Sequence, residues 1–145
     1  MTIPLYPTWE PVHTIEHVSG CFKTVLSVRE EDEPLEPDDY DNFDDLLYRL
    51  RKGTLVRFAA KVECYLESPL GYTPDLLLAT EYLGNCLYNS VQDFIDTNGY
   101  YGDIVRSACA LARRNLHAYY THLLNSDTKE YLHRSEEHTS ELQSH

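Results

Sequence analysis

Apolar and polar side chains alternate most strictly between Thr54 and Glu67. Val56, Phe58, Ala60, Val62, Cys64 and Leu66 fall on one side, and Arg57, Lys61, Glu63 and Glu67 on the other, with Leu55, Ala59 and Tyr65 among them. A period of two over that length predicts a strand with one buried and one wet face, as in an antiparallel sheet. Leu76–Leu83 reads as its partner, and Gly84-Asn85 permits a bulge or turn before Cys86-Leu87-Tyr88. Upstream, Phe22, Thr24, Leu26 and Val28 alternate with Lys23, Val25 and Ser27, and Ser19-Gly20 marks a turn. That pattern predicts a hairpin over residues 12–28 whose second strand is Cys21–Val28.

Elsewhere the period changes to that of a helix. Phe43, Leu46, Leu47 and Leu50 form one stripe, with Asp41 as the expected N-cap. Asp44 and Asp45 suit the positive end of the helix dipole, Arg49, Arg51 and Lys52 the negative end, and Gly53 the C′ position. Asn89 or Ser90 can cap a short helix through Phe94 and Ile95 that stops at Asn98-Gly99. A long helix over 101–124 carries Val105, Cys109, Ala112, Leu116, Tyr119 and Leu123 on one stripe, widened by Ile104, Ala108 and Tyr120. Arg106, Arg113, Arg114 and His117 lie largely off it. The expected fold class is α+β, a small antiparallel sheet with helices packed on one face, in a single domain over 12–133. Residues 1–11, with Pro4, Pro7 and Pro11, read as an extended N-terminal arm that Leu5, Tyr6 and Trp9 could dock on the core. Residues 29–39 read as an acidic loop, and 68–75, with two prolines and a glycine, as another connecting loop.

The last twelve residues, Arg134-Ser-Glu-Glu-His-Thr-Ser-Glu-Leu-Gln-Ser-His145, resemble a short-read sequencing adapter translated in one frame. They are expected to be no natural part of the protein, whose own C-terminus would then be missing. The tail holds one arginine and three glutamates out of 12 basic and 24 acidic residues. The other 133 residues keep 11 basic and 21 acidic groups, a formal charge of −10. Ten of the acids lie in the sixteen positions from Glu30 to Asp45, with no basic residue between them. This balance argues against a nucleic-acid binder that works by neutralising phosphates. No apolar run approaches the roughly 20 residues of a membrane span. The N-terminus lacks the basic and apolar regions of a signal peptide. Cys21, Cys64, Cys86 and Cys109 are more than 20 residues apart and form no CxxC pair. They read as reduced thiols of a cytoplasmic protein.

Candidate chemistry is sparse. His13, His17 and Cys21 are spaced by four, which would align zinc ligands on a helix. In the strand predicted here residues four apart lie about 13 Å from one another, too far for one ion. His117 and His122, five apart, read as surface groups. Cys86, after Gly84-Asn85, stands where a reactive thiol could sit, though a buried small side chain is the simpler reading. The carboxylates of 30–45 could supply a catalytic pair, but they lack the pattern of a calcium loop and read as solvated. No cofactor or metal is expected. Twelve tyrosines are many for this length. Tyrosine is enriched at protein interfaces, so Tyr82, Tyr88, Tyr100 and Tyr101 are candidate partner-binding residues. Beside them stand Glu30, Glu31, Asp32, Glu33, Glu36, Asp38, Asp39 and Asp41.

The stretch Glu81-Tyr-Leu-Gly-Asn-Cys-Leu-Tyr88, then Asp93-Phe94, Gly99-Tyr-Tyr-Gly-Asp-Ile-Val-Arg106 and Ala112-Arg113 resembles a family of small uncharacterised proteins from phages and other bacterial mobile elements. It departs from the family pattern in Glu81 for Asp, Asn85 for a second Gly and Ile104 for Met. The resemblance covers about residues 53–116 and brings no activity with it, only a context in a bacterial host cell. The expected function is that of a small acidic accessory protein that binds another protein, such as a basic host protein, in the cytoplasm and without catalysis. Direct binding of nucleic acid or membrane is not expected, and self-association stays open. The alternatives are an inhibitor of a host defence protein that mimics nucleic acid, and an enzyme using Cys86 or the acidic loop.

Overall fold

The alternating stretches form one antiparallel meander. Its strands are β1 (Glu10–Ser19), β2 (Phe22–Glu30), β3 (Val56–Leu66) and β4 (Leu76–Tyr88), in the order β1-β2-β3-β4. The computed structural model describes residues 8–68, 71 and 74–143, those from 126 to 143 as backbone only. Residues 1–7, the greater part of the expected arm, lie outside the described residues, as do positions 69, 70, 72 and 73 of the second loop. The arm is also shorter than its prolines suggest, because Glu10 pairs with Val28 and Pro11 with Ser27 in β1. An edge strand tolerates a proline, which has no ladder hydrogen bond to lose on its open side.

Register decides which residues are buried. Thr24 lies opposite Cys64, Leu26 opposite Val62 and Val28 opposite Ala60, so these six share one face. Leu26, Phe58, Ala60, Val62 and Cys64 have no exposed surface, and neither do Phe94, Ala108 and Ala112 from the helices. Helix α2 (Val91–Thr97) and the first turns of α3 (Tyr100–Gln143) cover that face. Phe94 meets Phe58 edge-on with centroids 5.4 Å apart, and the Cys109 Sγ lies 4.0 Å from that of Cys64. Ser107 donates to Glu81 over 3.0 Å. Helix α1 (Phe43–Lys52) buries no residue completely and is tied to the end of β4 by Arg49, which donates to Asn89 over 3.0 Å.

The local signals account for the helix ends. Gly53 takes the left-handed conformation (φ 78°) that closes α1. Ser90 caps α2 by accepting from the Asp93 N–H at 3.0 Å. The N-cap of α1 is Asn42 and not Asp41, and its side chain makes no capping bond. Helix α3 continues past Leu124 to Gln143, because residues 125–143 contain neither proline nor glycine to stop it. The chain divides after Ala112 into two units, the first of α+β class and the second helical. Among the described residues no helix is long and apolar enough to cross a membrane.

The other face of the sheet carries charge in paired form. Lys61 lies 3.4 Å from Glu63, and Lys23 pairs with Asp75. The Lys23 ammonium, and then the Ser68 N–H at 2.7 Å, hold the Asp75 carboxyl below its ordinary value of 3.8, while Asp75 raises Lys23 above 10.5. A depressed carboxylate stabilises the fold above 3.8 and loses that contribution as pH falls through its folded value. Asp75→Asn is therefore expected to melt below wild type at neutral pH, by a margin that closes well below pH 3.8. Thermal melts of both proteins across that range check it, and a margin unchanged in acid would contradict it.

Candidate functional site

The acidic segment after β2 is fastened to the sheet at one irregular point of β4. Phe58 pairs with Cys86 but Ala60 pairs with Leu83, so Ala59 alone faces both Gly84 and Asn85. This is a β-bulge, and Asn85 takes the left-handed backbone (φ 54°) that asparagine tolerates better than most residues. The Asn85 N–H donates to Glu31 Oε2 at 2.6 Å, while Glu31 Oε1 accepts from the Glu33 N–H at 3.2 Å. The Asn85 amide donates to the Tyr40 hydroxyl at 2.8 Å and accepts from Arg57 Nε at 2.6 Å. Arg57 reaches on to the Glu33 carbonyl, also at 2.6 Å. A Cβ on Gly84 would come within 3.3 Å of Glu31 Oε2, so glycine lets the carboxylate approach. Asn85 and Arg57 thus hold the run at Glu31, Glu33 and Tyr40.

Along the run the carboxylates face water. Glu30, Asp32, Glu33, Glu36, Asp38, Asp39, Asp41, Asp44 and Asp45 are exposed, and Glu31 is half-buried. Among the described residues the one ion pair of the run is Arg29 with Asp32, at 3.9 Å. Pro37 opens a single 3-10 turn, Pro37–Asp39, and the Tyr40 and Phe43 rings sit 6.4 Å apart at the entry to α1. Asp44 and Asp45 occupy the first turn of that helix, where its dipole favours negative charge. The segment is an acidic ridge tied to the sheet at Glu31, Glu33 and Tyr40.

The four candidate tyrosines divide evenly. Tyr82 and Tyr100 are 64% and 65% exposed. Tyr101 is 2% exposed, with its ring 5.6 Å from Phe94, and Tyr88 packs against both Phe58 and Phe94. Burial raises Tyr101 to about 12. Tyr101 has no surface to offer a partner and serves the core. Trp9 does dock, but on the face away from α3, with Arg29 and Lys61 each 5.0 Å from its ring and Tyr82 at 5.9 Å.

The candidate chemical groups do not converge. His13 packs on the Tyr101 ring and His17 lies 3.4 Å from Glu67, while Cys21 is exposed in the turn. Among the described residues no three His, Cys, Asp or Glu side chains gather as a metal site. Burial first, and then the charge of Glu31, push the Cys86 thiol up to about 12. The thiolate, the nucleophilic form, is therefore strongly disfavoured there at pH 7. A thiol-reactive probe at that pH is expected to label Cys21 and leave Cys86 unmodified while the protein stays folded. Peptide mass mapping reads this, and rapid labelling of Cys86 would restore it as a nucleophile.

The acidic run was readable in the sequence, whereas which of the four tyrosines are exposed, Arg57 and the fastening role of Asn85 were not. A glycine and an asparagine inside a strand pattern were the available signal. No family model matches the chain, and no curated protein or solved structure matches it either.

Proposed function

We propose that this is a non-catalytic accessory protein of a phage or mobile element that binds a basic protein through its acidic ridge. The observation that carries the reading is the fastening of the ridge: of its nine exposed carboxylates, five (Asp32, Glu33, Glu36, Asp38 and Asp39) lie on the backbone between Glu31 and Tyr40, which Asn85 and Arg57 anchor. A loop ordered in advance loses less freedom on binding than a mobile one, which favours affinity. One sign of charge concentrated on a ridge steers an oppositely charged partner and speeds encounter. Like charges packed this closely cost stability when nothing balances them, and a cationic surface would remove that cost. Exposed Tyr82 and Tyr100 add amphipathic contact area. The raised Cys86 thiol weighs against the enzyme alternative.

The test is capture from bacterial lysate with the intact chain and with a variant carrying Asp38→Asn, Asp39→Asn, Asp41→Asn and Asp44→Asn. An exposed ionic contact contributes about 0.5 kcal/mol, so removing four weakens binding by roughly 30-fold. The expected result is a basic protein that elutes as salt is raised to about 1 M, where the screening length falls to about 3 Å. The variant should fail to capture it. A partner held equally by both proteins, or one indifferent to salt, would exclude the ridge as the binding surface.

A further inference from the structure

The geometry points to Cys64 and Cys109 as a site of reversible disulfide formation, closed by a peroxide-class oxidant, that locks helix α3 onto strand β3. The two sulfurs lie 4.0 Å apart inside the core, on elements 45 residues distant in sequence. A disulfide requires about 2.05 Å, so the sulfurs must approach by about 2 Å. Both thiols stand on regular elements, Cys64 near the C-terminal end of β3 and Cys109 on the buried face of α3.

The chemistry balances with hydrogen peroxide as the only co-reactant. Cys109 is 4% exposed and Cys64 is fully buried, so Cys109 is the sulfur an oxidant meets first. Its thiolate displaces hydroxide from the peroxide, forming a sulfenic acid and, with one proton, water. The Cys64 sulfur then attacks the Cys109 sulfur, the S–O bond breaks, and the hydroxyl leaves as a second water with the Cys64 proton. Two thiols and one peroxide give one disulfide and two waters. A sulfenic acid at Cys109 would have its resolving thiol already beside it, which protects it from further oxidation. Cys21, exposed in the β1–β2 turn, and Cys86, on β4, lie outside this pair.

The experiment uses the full chain with Cys21→Ser, which removes the exposed thiol that could join two molecules. Treatment with millimolar-range hydrogen peroxide, on the order of ten equivalents per thiol, is followed by intact mass and by mapping of unreduced peptides. The expected result is a loss of two hydrogens, one peptide pair joining Cys64 to Cys109, and a melting midpoint raised by roughly 5–10 °C. Dithiothreitol should reverse all three. Cys64→Ala and Cys109→Ala should each abolish the two-hydrogen loss; the peptide map of the Cys21→Ser chain stands on its own if either variant fails to fold. Unchanged mass, added oxygen without a cross-link, a cross-link through Cys86, or a lowered melting midpoint would each overturn the proposal.

Discussion

Phe94→Ala is expected to cost about 4 kcal/mol of stability, the usual range for deleting a fully buried phenylalanine being ~3–5 kcal/mol. Phe94 has no exposed surface and contacts three other rings, Phe58 at 5.4 Å, Tyr88 at 5.0 Å and Tyr101 at 5.6 Å. Edge-to-face pairs add about 0.5–1.5 kcal/mol each beyond the area they bury, which places this site toward the upper end of that range. Its position makes the loss worse. Helix α2 has seven residues, too few to persist without tertiary contacts, and Phe94 is its one fully buried side chain. Losing the ring should release α2 along with it, and with α2 the turn at Asn98 that leads into α3. A domain of this size is stable by about 5–15 kcal/mol, so the variant should be largely unfolded at low denaturant concentration. Guanidinium titration measures this against wild type and Phe94→Leu, which keeps most of the volume and should cost about 1.5 kcal/mol or less. A loss below that figure for the alanine variant would mean that the aromatic cluster does not organise the core.

The parts of this fold legible in the sequence are those written by local periodicity. Strand β3 could be read residue by residue because its faces meet opposite environments: Phe58, Ala60, Val62 and Cys64 are buried, while Arg57, Lys61 and Glu63 stay partly wet. Helix α1 was clear from its leucine stripe and Gly53. Strand β1 is legible only as half of a hairpin, since its pairing shifts between Pro11 and His13 and again between Ile15 and Ser19, and each shift breaks the alternation. The N-cap of α1 falls one residue later than the sequence predicts because Asp41 and Asn42 are nearly equal as caps, and Asn42 makes no side-chain capping bond. Tertiary pairings left no such trace. Glu31 and Asn85 are 54 positions apart, Arg57 and Asn85 are 28 apart, and a pattern window of a dozen residues contains neither pair. The charge of the acidic ridge is therefore visible in the sequence, and its attachment to the sheet is not. The same holds for Tyr82 and Tyr101, whose exposures differ because Tyr82 lies beside Trp9 on the outer face of the sheet and Tyr101 packs from α3 against Phe94 in the core.

Asn85 offers the means to separate charge from rigidity, and two substitutions there are expected to diverge. Asn85→Ala deletes the hydrogen bonds to Arg57 and Tyr40 and forces a Cβ-bearing residue without a local polar group to keep φ 54°. The bonds are solvent-exposed, worth about 0.5–1 kcal/mol each, and the left-handed backbone adds about 1 kcal/mol. The sum is a loss of about 2–3 kcal/mol. Asn85→Gly deletes the same bonds but adopts positive φ freely, so it should lose only about 1–2 kcal/mol. Both variants keep every carboxylate of the ridge, and both free Tyr40 and the Arg57 guanidinium from their shared partner. Amide hydrogen exchange over residues 32–40 should therefore accelerate in both, by roughly tenfold where opening is eased by about 1.4 kcal/mol. Affinity for a basic partner should fall in step, since the ordering cost that the fastening had removed returns on binding. If exchange over 32–40 stays at the wild-type rate in both variants, the β4 bulge does not hold the ridge. If exchange accelerates while affinity is unchanged, charge alone governs recognition and the order imposed by Asn85 serves only the fold.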